Sequence, residues 1–256
     1  KEIFFWQVRN FKSNFKKNND LSKSIKTNIL KEILKNKNIN KKHSVNLVSI
    51  NSKKVDKNSI FVGVKGKKYD GNNFAIEAIK KGAILAVVNK KIRNSKIIFS
   101  QKPLDFFNRI TSIYRKSLNA NTIAITGSAG KTSVKELTGF CLKKLEKTYY
   151  SKKSFNNKFG VPLSIFNAPE NTKFLVLEVG MDKKGEIDKL TKLIRPNLGL
   201  ITNISYAHIK NFKNLTQIAK AKSEIINNIT CNGSMIINMD DKYYKYFKEK
   251  SEKYGL

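Results

Sequence analysis

The strongest constraint in this sequence is a glycine-containing loop between a predicted strand and a predicted helix. The loop reads Gly127-Ser-Ala-Gly-Lys-Thr132 and follows the apolar run at 123–125. Such a run predicts a buried parallel strand, and the spacing of apolar residues over 134–145 predicts an amphipathic helix. Glycines let a backbone turn sharply and approach a ligand, so that N–H groups and the positive end of the helix dipole face an anion. The stretch therefore predicts a phosphate-binding loop.

Two side chains of this loop are candidates for nucleotide chemistry. The Lys131 ammonium is expected to contact the β- and γ-phosphates, and the Thr132 hydroxyl to ligate Mg²⁺. The loop is shorter than the usual G-x-x-x-x-G-K-[ST] pattern, so a chance Gly-Lys-Thr in a lysine-rich chain is the alternative. Its place between a strand and a helix favours the phosphate loop, with ATP contacts expected from Gly127, Ser128, Ala129 and Gly130.

The chain is strongly basic, with 51 Lys and Arg against 19 Asp and Glu and a net charge of +32. A basic chain can bind nucleic acid. The lysines are spread along all 256 residues beside many Asn and Ile, without an arginine block or an aromatic–basic pattern. We therefore expect a solvated lysine surface and no nucleic-acid partner, with a nucleic-acid-binding P-loop protein as an alternative.

Cysteine usage and hydropathy indicate the compartment. Cys141 and Cys231 are too few for a disulfide framework, which favours a reducing cytoplasm. No apolar run reaches the length of a membrane span, so we expect no stable membrane insertion. We also expect a monomer.

The fold class expected from the order of elements is α/β, in two domains. The first, over 1–102, is a small α/β domain that includes an N-terminal helical extension. Its predicted strands and helices are strands 45–50, 60–64, 84–88 and 97–99 and helices 4–15, 21–34 and 74–81. A boundary near 101–103 separates it from the second, over 103–256, which begins with a helix at 104–120.

The second region alternates strands and helices, which predicts a mostly parallel sheet with right-handed crossovers. Its predicted elements are strands 122–125, 174–179, 198–201 and 234–238 and helices 133–145, 185–194 and 215–226. Ligands bind at the carboxyl ends of the strands in such sheets. Glu178 ends one strand, and Asn203 and His208 follow another, so we expect the three to converge on the loop. A carboxylate that ends a buried strand needs a partner, and nucleotide-bound Mg²⁺ would be one.

The second region resembles the ATP-dependent Mur ligases of peptidoglycan synthesis. Four stretches carry the resemblance: 126–136, 154–163, 177–187, and a set within 195–225 that includes Arg195-Pro, Thr202-Asn-Ile, Ala207-His208 and Ile218-Ala-Lys-Ala-Lys-Ser-Glu-Ile225. The first is shared across the family. The second and last are most similar to the member that joins D-alanyl-D-alanine to UDP-N-acetylmuramoyl-tripeptide. A weaker resemblance extends back to about residue 45.

The resemblance implies a reaction in two steps. ATP phosphorylates the carboxylate of the UDP-linked tripeptide, and the amine of D-alanyl-D-alanine then attacks the acyl phosphate. Two other superfamily members are alternatives: the ligase that adds the third residue, and folylpolyglutamate synthase. The stretches at 156–157 and 207–208 argue against both.

The resemblance also implies roles around the metal. Thr132 would share Mg²⁺ with Glu178, and His208 would ligate a second Mg²⁺. Lys222 matches the lysine that the family carbamylates, which turns a cation into an anionic group that helps to hold Mg²⁺. From its position on a helix alone, Lys222 would be expected to face solvent.

The remaining implied contacts are to substrate and nucleotide. Asn157 would contact the transferring phosphate or the substrate, together with Asn156, and Asn238 would lie near the adenine.

The first domain resembles the family's UDP-binding domain, with Ser52 and Asp70 as substrate contacts. Asp70 matches an Asp-Gly-x-x-Phe turn of the family. The family's Asp-Ser-Arg triplet reads Asn51-Ser52-Lys53 here, and lysine does not reproduce the bidentate fork of arginine.

Family members carry a third, C-terminal domain that has no counterpart in these residues, and the central sheet is expected to be incomplete. We therefore expect the 256 residues alone to have no ligase activity. A truncated, non-catalytic chain is a further alternative.

Overall fold

The computed structural model describes residues 25–34, 45, 47–66, 68–206 and 211–256. The chain divides after Ser117 into two compact units, each of which is α/β. The α/β class expected from the sequence is confirmed. The predicted helix over 4–15 and His208 lie outside the described residues.

The first unit is built on a four-stranded parallel sheet with strand order β1-β2-β3-β4. Its elements are α1 Ile25–Leu34, β1 Leu47–Ser49, β2 Ser59–Val62, α2 Ala75–Lys80, β3 Leu85–Val88, β4 Ile97–Phe99 and α3 Pro103–Ser117, with short 3₁₀ turns at Ser52–Lys54 and Gly71–Phe74. Both central strands are buried along their whole length, as expected for strands covered on two faces.

Helix α3 packs within this unit, on α1 and β2. The ammonium of Lys26 lies 5.0 Å from the centroid of the Tyr114 ring, which joins the two helices by a cation–π contact. The boundary expected near 101–103 places this helix in the second region, whereas the division of the structure follows it.

The second unit is built on a five-stranded parallel sheet with strand order β6-β7-β5-β8-β9. Its elements are β5 Asn121–Thr126, α4 Lys131–Lys143, β6 Thr148–Tyr150, α5 Gly160–Asn167, β7 Phe174–Glu178, α6 Glu186–Ile194, β8 Leu198–Ile201, α7 Leu215–Lys222, β9 Ser234–Ile237 and α8 Tyr244–Lys253. A 3₁₀ segment, Ser223–Asn228, continues α7.

Strands β5, β7, β8 and β9 lie where the sequence predicts them, within one or two residues at each end. Strand β6 and helix α5 are absent from the elements predicted by the sequence patterns. Strand β6 has three residues at the edge of the sheet, too few to show a period. Helix α5 begins at a glycine and carries Pro162 in its first turn, where the missing N–H costs no helical hydrogen bond.

The core of the second unit lies beside its central strand. Ile123 and Ile125 of β5 and Val176 of β7 form a buried cluster, on which Val134 and Leu142 of α4 pack. This contact fixes α4 against the strand that precedes it. In the described ranges, no helix combines the length and the apolar character needed to cross a bilayer.

Glu224, in the 3₁₀ segment after α7, caps helix α6 from outside that helix. Its carboxylate accepts hydrogen bonds from the N–H groups of Gly185 (2.7 Å) and Asp188 (3.1 Å) and is almost fully buried. The first N–H groups of a helix have no partner within it, and a negative charge there also complements the helix dipole. The contact fastens the segment after α7 to the start of α6.

Replacing Glu224 by alanine is expected to lower the free energy of unfolding by about 2 kcal/mol, because two partly buried N–H groups at the start of α6 lose their acceptor. Urea denaturation of the parent and the variant measures this. Glu224→Gln keeps one oxygen acceptor and should lose less. The exposed Glu249, replaced by alanine, is the control and should stay near the parent. Equal stability of all four proteins would contradict the capping role.

Candidate nucleotide and magnesium site

The loop at 127–130 lies at the carboxyl end of β5, the central strand of the second sheet. The chain first builds β6 and β7 on one side of β5 and then crosses to β8 and β9 on the other. The point at which the strand order reverses opens a crevice between the crossover segments, and ligands of such sheets bind there. The topology therefore places the loop where the fold binds ligands.

Two glycines give the loop its shape. Gly127 has φ +148°, and a Cβ there would lie 1.8 Å from the Thr202 hydroxyl oxygen. Gly130 has φ +77° and immediately precedes α4, which begins at Lys131. Side chains other than hydrogen are strongly disfavoured at such positions. The N–H groups of the first turn of α4 have no acceptor within the helix and suit a phosphate.

The segment after β8 forms one wall of the loop. The Asn203 side chain accepts a hydrogen bond from the Ala129 N–H (3.0 Å), and the Thr202 hydroxyl donates to the Ala129 carbonyl (2.6 Å). The Ser128 N–H donates to the Asn203 carbonyl (2.9 Å). Asn203 thus lies at the loop, as the sequence predicts. These bonds occupy the N–H groups of Ser128 and Ala129. We therefore expect an anion to bind at the N–H groups that begin α4.

Lys131 lies folded over the loop. Its ammonium donates to the carbonyls of Gly127 (2.8 Å) and Ser128 (3.1 Å). Burial lowers the pKa of Lys131, and the Glu178 carboxylate opposes part of that shift. The side chain can exchange these neutral acceptors for a phosphate oxygen, which a charged donor binds more strongly.

Glu178 ends strand β7 and is 1% exposed. The Thr132 hydroxyl donates to Oε2 of Glu178 (2.7 Å), and the Asn156 amide donates to Oε1 (2.8 Å). Thr132 and Glu178 therefore meet, as the resemblance implies, and Asn156, expected only as a substrate contact, joins them from a third segment of the chain. Both oxygens of the buried carboxylate are held in place by neutral donors.

The pair of Glu178 and Thr132 fits Mg²⁺. Carboxylate and hydroxyl oxygens are donors that Mg²⁺ prefers, and it usually binds through one or two carboxylates together with phosphates and water. In the part of the chain that the structure describes, no three His, Cys, Asp or Glu side chains cluster as a metal cage would require. The donor set suits a metal that arrives with a nucleotide.

Lys222, at the end of α7, is buried and not solvent-facing as its helix position alone suggests. It is 1% exposed, and its ammonium donates to the Gly127 carbonyl (2.7 Å), the same carbonyl that Lys131 contacts. Burial, and then the charge of Lys131, lowers the pKa of Lys222 to about 7. A helix pattern cannot reveal this burial, because the cover over Lys222 comes from distant parts of the chain.

Asn157 and Asn238 have structural contacts of their own. The Asn157 side chain accepts from the N–H groups of Phe159 and Gly160 (both 3.0 Å) and so caps the start of α5.

The Asn238 side chain accepts from the Asp240 N–H (3.0 Å) in the turn after β9. The carboxylate of Asp241 in the same turn accepts from the Ile204 N–H (2.6 Å), which ties the turn to the wall of the loop.

Ser52 and Asp70 lie in the first unit. Ser52 is buried in the 3₁₀ turn after β1, and Asn51 caps that turn by accepting from the Lys53 N–H (3.0 Å). Asparagine at 51 thus provides the capping oxygen that an aspartate would provide.

Asp70 caps the 3₁₀ turn at Gly71–Phe74. Hydrogen bonds from the backbone and then the side chain of Asn72 lower the pKa of Asp70.

Lys135 is a residue of this region to which the sequence analysis assigns no role. Its ammonium is fully buried and donates to the carbonyls of Ser151 (2.7 Å) and Lys153 (2.6 Å). A signal existed in the sequence: Thr132, Lys135 and Gly139 follow the spacing of one helix face. In a lysine-rich chain, however, one lysine on that helix face does not by itself indicate burial or a function.

Comparison with known proteins extends these observations. The family described as "Mur ligase middle domain" matches residues 125–256. The chain belongs to the Mur ligase family. A second description, "Mur ligase family, catalytic domain", matches residues 44–130.

Two curated relatives are UDP-N-acetylmuramoyl-tripeptide–D-alanyl-D-alanine ligases. The one from Buchnera aphidicola is 36% identical over 228 residues, which cover 87% of this chain and 50% of the relative. The one from Rickettsia prowazekii is 35% identical over 202 residues, 78% of this chain and 45% of the relative. The chain therefore spans about half the length of the curated relatives it matches.

A solved Mur ligase has the same architecture. The MurF ligase from Thermotoga maritima, crystallised in complex with ADP, superposes on this chain with a TM-score of 0.74 at 28% sequence identity. The superposed region covers 82% of this chain and 49% of the Thermotoga maritima protein. The parallel sheets of both units thus belong to a known Mur ligase arrangement.

The stability of this chain is expected to rise with pH through the titration of Lys222. Its pKa is about 7 when folded and near 10.5 when unfolded, so between these values the unfolded chain binds more protons. The free energy of unfolding should then increase with pH, by on the order of 1 kcal/mol per pH unit from this group. Lys222→Met removes this component.

Urea denaturation at pH 7, 8 and 9, in buffer depleted of CO₂, measures the effect. The matched control is Lys220→Met, an exposed lysine on the same helix, which should keep the parental dependence on pH. An equal slope in the parent and in Lys222→Met would contradict the assignment.

Proposed function

We propose that the protein carrying this sequence is an ATP-dependent amide ligase that joins D-alanyl-D-alanine to UDP-N-acetylmuramoyl-tripeptide. The observation that carries the proposal is the meeting of Thr132, Asn156 and the buried Glu178 beside a phosphate loop. The curated relatives reported above bear the name of this ligase, which supports the choice of substrates.

The first step is phosphoryl transfer. A carboxylate oxygen of the tripeptide attacks the γ-phosphorus of ATP, the bond to the β,γ-bridging oxygen breaks, and ADP leaves. Lys131 and the first N–H groups of α4 would bind the phosphate oxygens and stabilise the charge that spreads over them. The ADP bound to the Thermotoga maritima MurF ligase supports nucleotide binding by this fold.

The second step is acyl transfer. The amine nitrogen of D-alanyl-D-alanine attacks the carbonyl carbon of the acyl phosphate, the carbon–oxygen bond to phosphate breaks, and a proton leaves the nitrogen. The products are the amide and inorganic phosphate. No side chain is consumed, so the contribution of the protein is positioning and the neutralisation of charge.

Glu178 and Thr132 would hold Mg²⁺ in this scheme, and the bound ion would neutralise charge on the phosphates. Lys222 is placed to support it as a carbamate. A pKa of about 7 leaves much of the amine neutral near neutral pH. The neutral nitrogen forms a bond with the carbon of CO₂ and releases a proton, which replaces a cation beside Lys131 by an anion. His208 is proposed as a ligand of a second Mg²⁺.

The two units would divide the substrates. The first unit is proposed to bind the UDP part of the tripeptide, with contacts from Ser52 and Asp70, and the second unit to bind ATP. Asn157 is proposed to contact the transferring phosphate, and Asn238 the adenine. We place the reaction in the cytoplasm, where ATP and UDP-linked precursors are available.

The full-length protein that carries this sequence is expected to release phosphate from ATP only when both the tripeptide and D-alanyl-D-alanine are present. A coupled phosphate assay with each substrate omitted in turn measures this. Lys131→Ala should lower turnover by about 100-fold or more, because the γ-phosphate loses its cation. Phosphate release with a different amine, or release that neither substrate stimulates, would overturn the proposal.

The Mg²⁺ site is tested separately, by binding. Calorimetric titration with ADP, in EDTA and in a series of Mg²⁺ concentrations, gives the metal-free affinity and the Mg²⁺ concentration of half-maximal effect. Glu178→Gln should leave metal-free ADP binding near the parental value and raise the half-maximal Mg²⁺ concentration by about tenfold or more. An unchanged Mg²⁺ dependence would remove Glu178 from the site.

A further inference from the structure

Lys135 occupies an unusual position for a lysine. It lies on α4, one turn after Thr132, and its side chain is completely buried. The ammonium donates to the carbonyls of Ser151 (2.7 Å) and Lys153 (2.6 Å) and pairs with the Glu136 carboxylate (2.8 Å). Three oxygens thus match the three N–H donors of the ammonium.

Burial of a charge is costly unless every donor is matched, and an apolar side chain of similar size avoids that cost. A methionine at this position would avoid the burial of a charge, but it would leave the two carbonyls without their donor. What only the lysine provides is a directed link from α4 to two carbonyls of the segment 151–153.

The two segments that Lys135 joins also hold Glu178. Helix α4 carries Thr132, whose hydroxyl donates to Oε2 of Glu178. The segment after β6 carries Asn156, whose amide donates to Oε1 of the same carboxylate. The Ser151 hydroxyl accepts from the Glu178 N–H at 3.5 Å. Glu178 is thus held between the two segments that Lys135 joins.

The backbone of the bridged segment needs such a link. Lys153 has φ +50°, a left-handed conformation that is unfavourable for a residue with a side chain. The Lys135 ammonium binds the carbonyl of this same residue. Without that contact, the segment has a reason to relax, and Asn156 follows three residues later.

We propose that Lys135 is a positioning residue for the magnesium site: it fixes the distance between α4 and the segment 151–156, and so the orientation of the Glu178 carboxylate. The inference rests on the proposed function only for the role of Glu178 as a Mg²⁺ ligand. In this proposal Lys135 acts through Asn156 and Glu178, not through a contact of its own with nucleotide or metal.

The test is a double-mutant cycle on Mg²⁺-dependent ADP binding, with Lys135→Met, Asn156→Ala and the double variant. Lys135→Met should raise the half-maximal Mg²⁺ concentration by about tenfold, as outer contacts of metal ligands commonly do, and change metal-free ADP affinity by less than about threefold. The double variant should lose little more than the more affected single variant, because both changes act on one carboxylate. The matched control is Lys143→Met, an exposed lysine on the same helix, which should behave as the parent.

Three results would overturn the inference in a folded Lys135→Met variant: an unchanged Mg²⁺ dependence, an equal loss of metal-free and Mg²⁺-dependent binding, or losses that add in the double variant. Circular dichroism establishes folding. If the methionine variant does not fold, Lys135→Gln, which retains an N–H donor for one carbonyl, replaces it under the same criteria. A parent whose ADP binding is indifferent to Mg²⁺ and to Glu178→Gln would instead overturn the proposed function.

Discussion

The buried carboxylate of Glu178 is the constraint on which the site depends. It lies at the end of a strand that is buried along nearly its whole length, where an ionised group is unfavourable without partners. The partners come from two other segments, Thr132 from the helix after the loop and Asn156 from the segment after β6. The parallel sheet brings these segments together because the carboxyl ends of β5, β6 and β7 share one edge. The fold and the site therefore stabilise each other.

The charges around the loop favour an anionic ligand. Lys131 and Lys222 donate to the same carbonyl, that of Gly127, so two ammonium groups lie close together. Burial lowers the pKa of both lysines, and the charge of Lys131 lowers the pKa of Lys222 further. A phosphate would relieve the repulsion between the two ammonium groups, and so would a carbamate on Lys222. The net charge of the chain explains little of this preference for an anion, because the preference comes from Lys131, Lys222 and their surroundings.

Much of this arrangement could be predicted from the sequence, since it depends on local order. The strand, the glycine loop and the helix are consecutive, and backbone conformation and helix dipole act over a few residues. The ends of strands β7 and β8 could be read from apolar runs, which placed Glu178 and Asn203 at the correct edge. Helix α5 and strand β6 escaped prediction because one begins with Gly160 and contains a proline, and the other is three residues long.

The sequence by itself determined the phosphate loop, the parallel α/β class and the strand-end position of Glu178, because each follows from neighbouring residues and the geometry of a parallel sheet. Only the tertiary structure decided which lysines are buried. Lys135 and Lys222 look like the exposed lysines of their own helices, Lys143 and Lys220, until the segments that cover them are in place. Those segments lie outside the helices concerned: Ser151 and Lys153, which meet Lys135, are 16 and 18 residues away from it, and Gly127, which meets Lys222, is 95 residues away. Burial is set by such distant contacts, which a local pattern does not contain.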